Sequence, residues 1–325
     1  MQPFIRRSIS IARVFILSAI ACASAQAQYP AKPVRIIVPF PAGGAVDLAT
    51  RQIAQKLSDI WKQSVLIDNR AGAGGIIGAD AVAKSVPDGY TLLGNSNAIA
   101  LSPALYRTLP YDAIRDFTPV AQLTSSYLVL TVNPRIPATT VNELIDYAKA
   151  RPGAIAYGSN GIGVSPHLVT EQFKSRAGID MLHIPYKGDA QAIPALLSGE
   201  VLVAIMPPSA VVSHVKAGKL RALGVTRLTR TGVLPGVPTI AESLPGFEYS
   251  GYIGLYAPAG LPRDILALLQ RDTTRVLALG DLQERLAAGG FEPPNTTPDQ
   301  FSARYLRDIA TFIQIVKDAR IPQQD

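Results

Sequence analysis

The sequence has few of the residues that build covalent cross-links and metal sites. Of its 325 residues, one is cysteine, Cys22, and three are histidine. A disulfide needs two cysteines, and the chain has neither the HExxH motif nor the histidine and cysteine spacings of zinc sites. Paired-carboxylate motifs are missing as well. We therefore predict no disulfide and no metal site.

The chain also lacks a concentration of charge of one sign. Its formal net charge is +7, but the 31 basic residues are spread along the sequence. A nucleic-acid-binding protein would be expected to gather lysine and arginine into a patch or stripe, so we expect no nucleic-acid partner. No segment beyond the N-terminus is long and apolar enough for a spanning helix of about 20 residues.

The first 27 residues have the layout of a secretory signal. Three arginines and no acidic residue accompany an apolar stretch, and the small residues Ala25-Gln26-Ala27 follow it. Cleavage after Ala27 would remove Cys22 and leave a charge of +4 on 298 residues in the periplasm. Lipoprotein processing at Cys22 fits poorly, because Ala19 stands where a leucine-like residue is usual. A twin-arginine signal is a further alternative, although its flanking residues fit poorly.

Hydrophobic periodicity predicts alternating strands and helices after this segment. The predicted strands are 34–38, 65–67 and 91–93, and the predicted helices are 45–61 and 76–84. Such alternation favours a mostly parallel sheet with helices on both faces. The first hundred residues of the mature chain therefore resemble one α/β domain.

A second set of elements follows the extended stretch 120–132. Thr140 and Glu143 have the spacing of a capping box and predict a helix over 141–150. Further predicted strands are 154–157, 181–184 and 201–206, and further predicted helices are 165–177 and 190–197. After another extended stretch at 251–258 come helices at 264–279, 282–288 and 298–319, which have no strands of their own to cover.

These last helices are most simply assigned to the first domain, which makes that domain discontinuous. We predict a signal peptide at 1–27, a first domain formed by 28–126 and 252–325, and a second domain at 127–251. The chain would cross between the lobes near 125–128 and 250–253. Two lobes joined by two crossing strands form a hinge, and ligands bind in the cleft where parallel strands end.

The segment PFPAGG at 39–44 lies between the first predicted strand and the first predicted helix. Its prolines stiffen the bend, and Gly43 and Gly44 leave backbone N–H groups at the positive end of the helix dipole. A helix start of this kind binds anions readily. The alternative interpretation is a tight turn in which glycine only caps the helix.

Two further loops could supply hydrogen-bond donors. The loop GSNGIGVS at 158–165 precedes a helix of the second domain, and Asn95-Ser96-Asn97 follow a strand of the first. Donors that converge from both lobes suit a small carboxylate held at each end. The alternative is that these are ordinary turns. The candidate ligand-binding residues are Phe40, Ala42, Gly43, Gly44, Asp47, Asn95, Ser96, Asn97, Ser159, Gly161, Gly163, Val164, Ser165 and Asp189.

The glycine-rich loop NRAGAGG at 69–75 does not predict a cofactor site. A dinucleotide fingerprint reads GxGxxG and is followed by an acidic residue at the end of the next strand, and both features are missing. An exported protein also has little access to a nicotinamide dinucleotide. We expect no cofactor, and we expect Arg70 to anchor the loop.

An exported hydrolase is an alternative function. Ser96 lies in GNSNA, which lacks the last glycine of the GxSxG elbow, and the three histidines lie in unrelated sequence contexts. A triad of Ser96 with His167, His183 or His214 would be required. Asp47 and Asp189 lie near predicted helix starts, where a carboxylate usually satisfies free N–H groups.

Six segments resemble, in their order and spacing, the substrate-binding proteins of tripartite tricarboxylate transporters, the Bug family. They are IIVPFPAGGAVDLATR, DNRAGAGGIIGADAVAKSVPDGYTLL, YGSNGIGVSPHL, IPYKGDAQA, AGKLRALGVT and VPTIAESLPGFE, and the resemblance extends over about residues 29–321. It implies an α/β, type II-like periplasmic binding protein with two mostly parallel sheets flanked by helices. Such a protein, expected here as a monomer, closes on a small organic acid and delivers it to a two-subunit membrane carrier.

The resemblance also implies where the ligand binds. Backbone amides and water from the loops at 40–44, 95–97 and 159–165 would hold its carboxylate, which could belong to a dicarboxylate, a citrate-like acid, an acidic amino acid or an aromatic acid. Val164 replaces a frequent small hydroxyl residue, and Leu202 replaces a common aspartate. These departures suggest a ligand with fewer polar groups on that side. A sensory receptor that signals to a membrane kinase is the alternative on the same fold.

Overall fold

The structure is a computed structural model that describes residues 29–294, 296–318 and 321–324. The predicted signal peptide and its cleavage site after Ala27 lie outside these residues. None of the described helices is long and apolar enough to cross a membrane.

The described residues form ten strands and ten α-helices, with 3₁₀ turns at Ala73–Gly75 and Ile240–Glu242. The strands are β1 (Val34–Val38), β2 (Val65–Asn69), β3 (Thr91–Ser96), β4 (Phe117–Ser126), β5 (Val129–Val132), β6 (Ala156–Ser159), β7 (Leu182–Pro185), β8 (Val203–Met206), β9 (Arg221–Val225) and β10 (Gly251–Pro258). The helices are α1 (Ala45–Trp61), α2 (Ile76–Ala83), α3 (Ala98–Leu105), α4 (Val141–Lys149), α5 (Ser165–Ala177), α6 (Asp189–Ser198), α7 (Pro208–Lys216), α8 (Arg263–Leu277), α9 (Gly280–Ala288) and α10 (Pro298–Asp318).

The strands form two five-stranded sheets of similar topology. The first has the order β2-β1-β3-β10-β4, and the second has the order β7-β6-β8-β5-β9. In each sheet the first three strands are parallel and the fourth is antiparallel to both of its neighbours. Four strands of each sheet therefore run in the same direction. The prediction of two mostly parallel sheets flanked by helices is confirmed.

Apolar periodicity explains most of the helices that cover these sheets. In α10 the residues Phe301, Tyr305, Ile309 and Phe312 are buried, as their spacing predicts, and the helix packs on α3 and β4. It also contacts α5 beside the second sheet. The first-sheet strands come from residues 34–126 and 251–258, but the exact domain boundaries at 126 and 252 stay a prediction.

The sequence-based prediction missed three elements and assigned one stretch incorrectly. Helix α3 has the sequence AIALSPAL, which has no polar face and contains Pro103, so it shows no helical periodicity. Helix α7 and strand β9 lie in a region where the patterning is weak. The stretch 120–132 is two strands, because the chain leaves the first sheet after Ser126 and joins the second at Val129.

Candidate functional site

The predicted loops lie at the carboxyl ends of neighbouring parallel strands. In the first sheet Ile37 of β1 pairs with Leu93 of β3, so the loops that follow these strands share one edge. In the second sheet Ser159 of β6 pairs with Pro185 of β7, which places the loop at 159–165 beside the start of α6. Ligands of open α/β sheets bind at such edges.

The first loop is held in place by Asp47. This side chain is buried, and its carboxylate accepts hydrogen bonds from Gly43 N at 2.9 Å, Arg51 Nε at 2.9 Å and Asn69 Nδ2 at 2.8 Å. Asn69 Nδ2 also donates to the carbonyl of Phe40. Burial would raise the pKa of Asp47, but the hydrogen bonds from Arg51, Gly43 and Asn69 hold it below its usual range. Asp47 therefore shapes the loop from behind.

The prediction that the loop glycines supply free N–H donors is wrong, because each of the four amides has an acceptor within the chain. The acceptors are Asp47 Oδ2 for Gly43 (2.9 Å), Pro41 O for Gly44 (3.3 Å), Ser159 Oγ for Gly161 (3.4 Å) and His167 Nδ1 for Gly163 (3.0 Å). For Gly43 and Gly163 the acceptor is a polar side chain of the first helical turn, which sequence spacing alone did not reveal.

The open donors are in the first turns of α1 and α5. No side chain caps either helix, because Gly44 and Val164 occupy the N-cap positions. Within the described part of the chain, Ala45 N and Val46 N have no acceptor, as expected for the first N–H groups of a helix. Both helices thus present the positive ends of their dipoles at the strand edges.

A stack of aromatic rings supports the second loop. The His167 and His183 rings stack with centroids 4.0 Å apart, and the Tyr157 ring lies 4.7 Å from His183 on its other face. Ser159 Oγ lies 2.7 Å from His183 Nε2, and the Tyr157 hydroxyl donates to Glu171. His167 and His183 thus lie in unrelated sequence contexts but are in contact in the fold.

Both stacked histidines are neutral at neutral pH. Burial, together with the neighbouring His167 ring, lowers the pKa of His183 to about 4, and burial lowers the pKa of His167. His167 Nδ1 accepts the N–H of Gly163, so its proton resides on Nε2. The stack is a rigid support beneath the loop.

Two amide oxygens at the ends of the candidate strands remain available as acceptors. Asn160 Nδ2 donates to Asp189 Oδ1 at 2.8 Å, which fixes Asn160 Oδ1 as the acceptor end. Among the described residues, the buried atoms Asn160 Oδ1 and Asn95 Oδ1 have no hydrogen-bond partner. A buried acceptor without a partner requires a donor from water or a ligand. One of these asparagines belongs to each sheet.

The remaining candidates differ in their exposure. Phe40 and Ser96 are half-buried, and Ala42 is exposed in the first loop. Val164 is 37% exposed and Ile162 is 56% exposed, so the second loop presents apolar side chains. In the described residues, no group of three or more histidine, cysteine, aspartate or glutamate side chains could hold a metal ion.

Segments of the two sheets meet at Tyr249 and at Leu105. Asn97 Nδ2 donates to the Tyr249 hydroxyl at 3.0 Å, and the Ser165 side chain at the start of α5 lies near this hydroxyl. A Cβ atom at Gly163 would lie 3.1 Å from the Leu105 side chain of α3. The loop at 159–165 and the start of α5 therefore lie close to α3, the helix that follows β3 of the first sheet.

Comparison with known proteins decides the family. The model of the tripartite tricarboxylate transporter family receptor matches residues 49–319. The chain belongs to this family. The resemblance seen in the six sequence segments is confirmed, and the protein is a member of this receptor family.

Relatives of this receptor match almost its full length. Protein BugT of Bordetella pertussis is 39% identical over 316 residues, which are 96% of this chain and 97% of BugT. The structure of R. palustris Rpa4515 with adipate is 36% identical with a TM-score of 0.73 and covers 91% of this chain and 100% of that one. MatC from Rhodopseudomonas palustris with bound malate is 29% identical, has a TM-score of 0.69, and covers 89% and 100%.

Tyr249 was not predicted from the sequence as a residue of the candidate site. It is separated from Asn97 by 152 positions and lies in no glycine-rich loop. The only available signal was its position just before the second predicted crossing at 250–253. The histidine stack was also missed, because His167 and His183 come from α5 and β7, and spacing cannot show that these elements are adjacent.

Proposed function

We propose that this receptor captures a small organic carboxylate between its two sheets in the periplasm and delivers it, as a monomer, to a two-subunit membrane carrier. The observation that carries the proposal is the pair of uncapped helix starts, α1 and α5, one beside each sheet. Asn97, which follows the strand next to β1, bonds to Tyr249 near the start of α5. Uncapped helix starts favour anions. The related structures that contain adipate and malate support a carboxylate ligand.

The arrangement favours an acid with a carboxylate at each end. Each helix start offers one anion seat, so a dicarboxylate suits the pair better than a citrate-like acid, an acidic amino acid or an aromatic monoacid. The exposed Ile162 and Val164 side chains would contact an apolar middle part of the ligand. The unpartnered oxygens of Asn95 and Asn160 would be satisfied by bound water or by a ligand hydroxyl group.

The proposed lobes are 28–126 with 252–325, and 127–251, and they would close about the crossings between β4 and β5 and before β10. We propose that closure involves binding alone, with no chemical reaction. Ser96 Oγ accepts the N–H of Ala98, whereas the serine bonded to a histidine is Ser159. The pKa of His183, about 4, makes it a poor base at neutral pH. The serine–histidine pair therefore supports the loop.

The proposal is tested by removing one backbone donor from α1. Proline is tolerated at the first helical position, and Gly44 already has the extended conformation that precedes proline, with ψ 166°. Ala45→Pro therefore deletes the Ala45 N–H and leaves the helix intact. We expect about ten- to hundredfold weaker binding of adipate or malate, the value of a hydrogen bond to a charged group.

The matched control is Gly280→Pro at the first position of α9, a helix start that belongs to none of the candidate loops. Isothermal titration calorimetry would measure binding, and urea unfolding would verify that both variants fold. Unchanged affinity in Ala45→Pro would contradict an anion seat at α1. A wild-type protein that binds none of a panel of organic carboxylates would contradict the proposed function itself.

A further inference from the structure

The backbone of Tyr249 is attached to the second sheet. Tyr249 N donates to Thr226 O at 2.8 Å, and Thr226 Oγ1 donates to Tyr249 O at 2.8 Å. Thr226 follows β9 and is fully buried, and its Oγ1 also accepts the N–H of Leu128 in the first crossing. These bonds fix the main chain of Tyr249 relative to both chain crossings.

The hydroxyl of Tyr249 reaches to the first sheet. It accepts the Asn97 Nδ2 donor at 3.0 Å, and Asn97 follows β3 at the candidate site. The side chain of Ser165, the first residue of α5, lies near the same oxygen. Tyr249 is 8% exposed, and burial raises the pKa of the hydroxyl, although the polar groups of Ser165 and Asn97 oppose the shift. The hydroxyl is therefore protonated and has few water contacts.

The Tyr249 hydroxyl also lies close to the second crossing. A Cβ atom at Gly251 would lie 3.3 Å from the Tyr249 hydroxyl and would collide with the Ser126 side chain. The hydroxyl therefore lies near Gly251, which packs on Ser126 of β4, and it is bonded to Asn97 of the first sheet. Its position depends on how the sheets are oriented relative to each other.

We propose that Tyr249 is a positioning residue for ligand binding, whose hydroxyl holds Asn97 of the first sheet against a backbone that is bonded to the second sheet. The role rests on the proposed function, because this contact contributes to the spacing of the two sheets and of the helix starts beside them. Loss of the hydroxyl leaves Asn97 and the Tyr249 backbone in place without the bond between them. The two sheets can then adopt more open orientations, and the seats no longer match one ligand.

The first experiment measures the orientation of the sheets without ligand. Ser64 before β2 and Ser213 in α7 are exposed, and their replacement by cysteine in a Cys22→Ser background leaves no other cysteine to react with dyes. Single-molecule energy transfer between these positions should show longer and broader distances in Tyr249→Phe than in the parent protein. An unchanged distribution would overturn the proposal.

Tyr305→Phe is the matched control. Tyr305 is also buried, at 1% exposure, and its hydroxyl donates to Ala113 O at 2.6 Å, outside both chain crossings. Both variants lose one buried tyrosine hydroxyl, so both should lose similar thermal stability. Only Tyr249→Phe should change the energy-transfer distances. Equal changes in both variants would indicate a general loss of packing and would also overturn the proposal.

The second experiment uses adipate binding to ask whether Tyr249 acts through Asn97. Tyr249→Phe should weaken binding about tenfold, and in an Asn97→Ala background the same change should cost less than about twofold. Additive effects would show that Tyr249 does not act through Asn97. If the parent protein binds no carboxylate, the proposed function fails, but the energy-transfer experiment still decides the role of Tyr249.

Discussion

Gly43 both adopts a left-handed backbone conformation and donates a hydrogen bond at the candidate site. Its φ of +80° lies in the left-handed region, and its N–H is held by the buried Asp47 carboxylate. A Cβ atom there would meet no other atom within 4 Å. The side of the loop that faces away from the protein is therefore open, next to the donors at the start of α1.

Replacing Gly43 by alanine should separate backbone strain from binding. A non-glycine residue in this conformation costs about 1–2 kcal/mol of the free energy of unfolding. The new methyl group also enters the space in front of α1, so we expect about tenfold weaker carboxylate binding, or about 1.4 kcal/mol. Urea unfolding and calorimetry measure the two effects.

Gly178→Ala is the control for this variant. Gly178 ends α5 with a φ of +62°, and a Cβ atom there also meets nothing within 4 Å, but it lies at the opposite end of the helix from the loop. It should lose similar stability and keep full affinity. If the two variants bind equally well, the space in front of Gly43 is not part of the site.

The residues of the site could be predicted only in part. The positions of its loops followed from strand and helix patterns, because the carboxyl ends of parallel strands share an edge. The bonding of each N–H group could not be predicted, because it depends on whether Asp47 or His167 turns back toward the loop. The role of Tyr249 could not be predicted for the same reason, since its contact with Asn97 depends on how the sheets are packed.

Helix α5 combines the start of a binding loop with a buried stack of ionisable rings. Its first residue, Ser165, contacts Tyr249, while His167 and Glu171 face the rings of His183 and Tyr157. Lys174 completes the cluster through an ion pair with Glu171 at 2.9 Å. Protonation of either histidine would add charge directly behind the loop.

Acidification should therefore destabilise the protein. In the folded state the pKa of His183 is about 4, below its value of about 6.5 in an unfolded chain. Between these values the unfolded state binds more protons, so stability is full above about pH 6.5 and falls as the pH decreases toward 4. The lowered pKa values of His167 and Asp47 act in the same direction.

Urea unfolding between pH 7.5 and pH 4.5 would measure this dependence. His183→Gln removes the histidine whose pKa is lowered to about 4 while keeping a polar side chain beside Ser159. The free energy of unfolding of this variant should decrease less steeply on acidification than that of the parent protein. An identical slope in the two proteins would show that His183 does not titrate in this range.

Elements with one apolar and one polar face could be predicted from the sequence more easily than elements that are buried on nearly all sides. Helices α1 and α10 have one apolar face against a sheet, so their periodicity was clear. Helix α3 is buried on nearly all sides between α10 and the first sheet, which removes the polar positions that would have revealed it. Helix α4 was clear from its cap, in which Glu143 N donates to Thr140 Oγ1 at 3.2 Å.

At the scale of the whole molecule, polar side chains fix the two chain crossings. Arg304 of α10 is 8% exposed, donates to Ser250 O at the second crossing, and lies 3.3 Å from Gln122 Oε1 on β4. Near the first crossing, Arg227 and Glu292 form a close ion pair between the segments that follow β9 and α9. The first contact joins α10 to the two strands of the first sheet at which the chain crosses, and the second joins segments that belong to different sheets.

Arg304→Met should destabilise the molecule much more than a change at the helix surface. The change removes the charged donor to the part-buried carbonyl of Ser250 and leaves Asp308 without its ion-pair partner, which costs about 2–3 kcal/mol of the free energy of unfolding. Arg307→Met, on the exposed face of the same helix, should cost less than about 0.5 kcal/mol. Similar urea midpoints for the two variants would show that Arg304 does not secure the crossing.

The matching order of the two sheets has a consequence for the shape of the guest. In both halves an edge strand is followed by a strand, a glycine-rich bend and an uncapped helix, and the fourth position is taken by the strand that arrives from the opposite half. The two halves thus have the same topology, and the two helix starts occupy corresponding positions in it. If each start accepts one carboxylate, as proposed, main-chain donors of the same kind would serve both ends of a linear diacid.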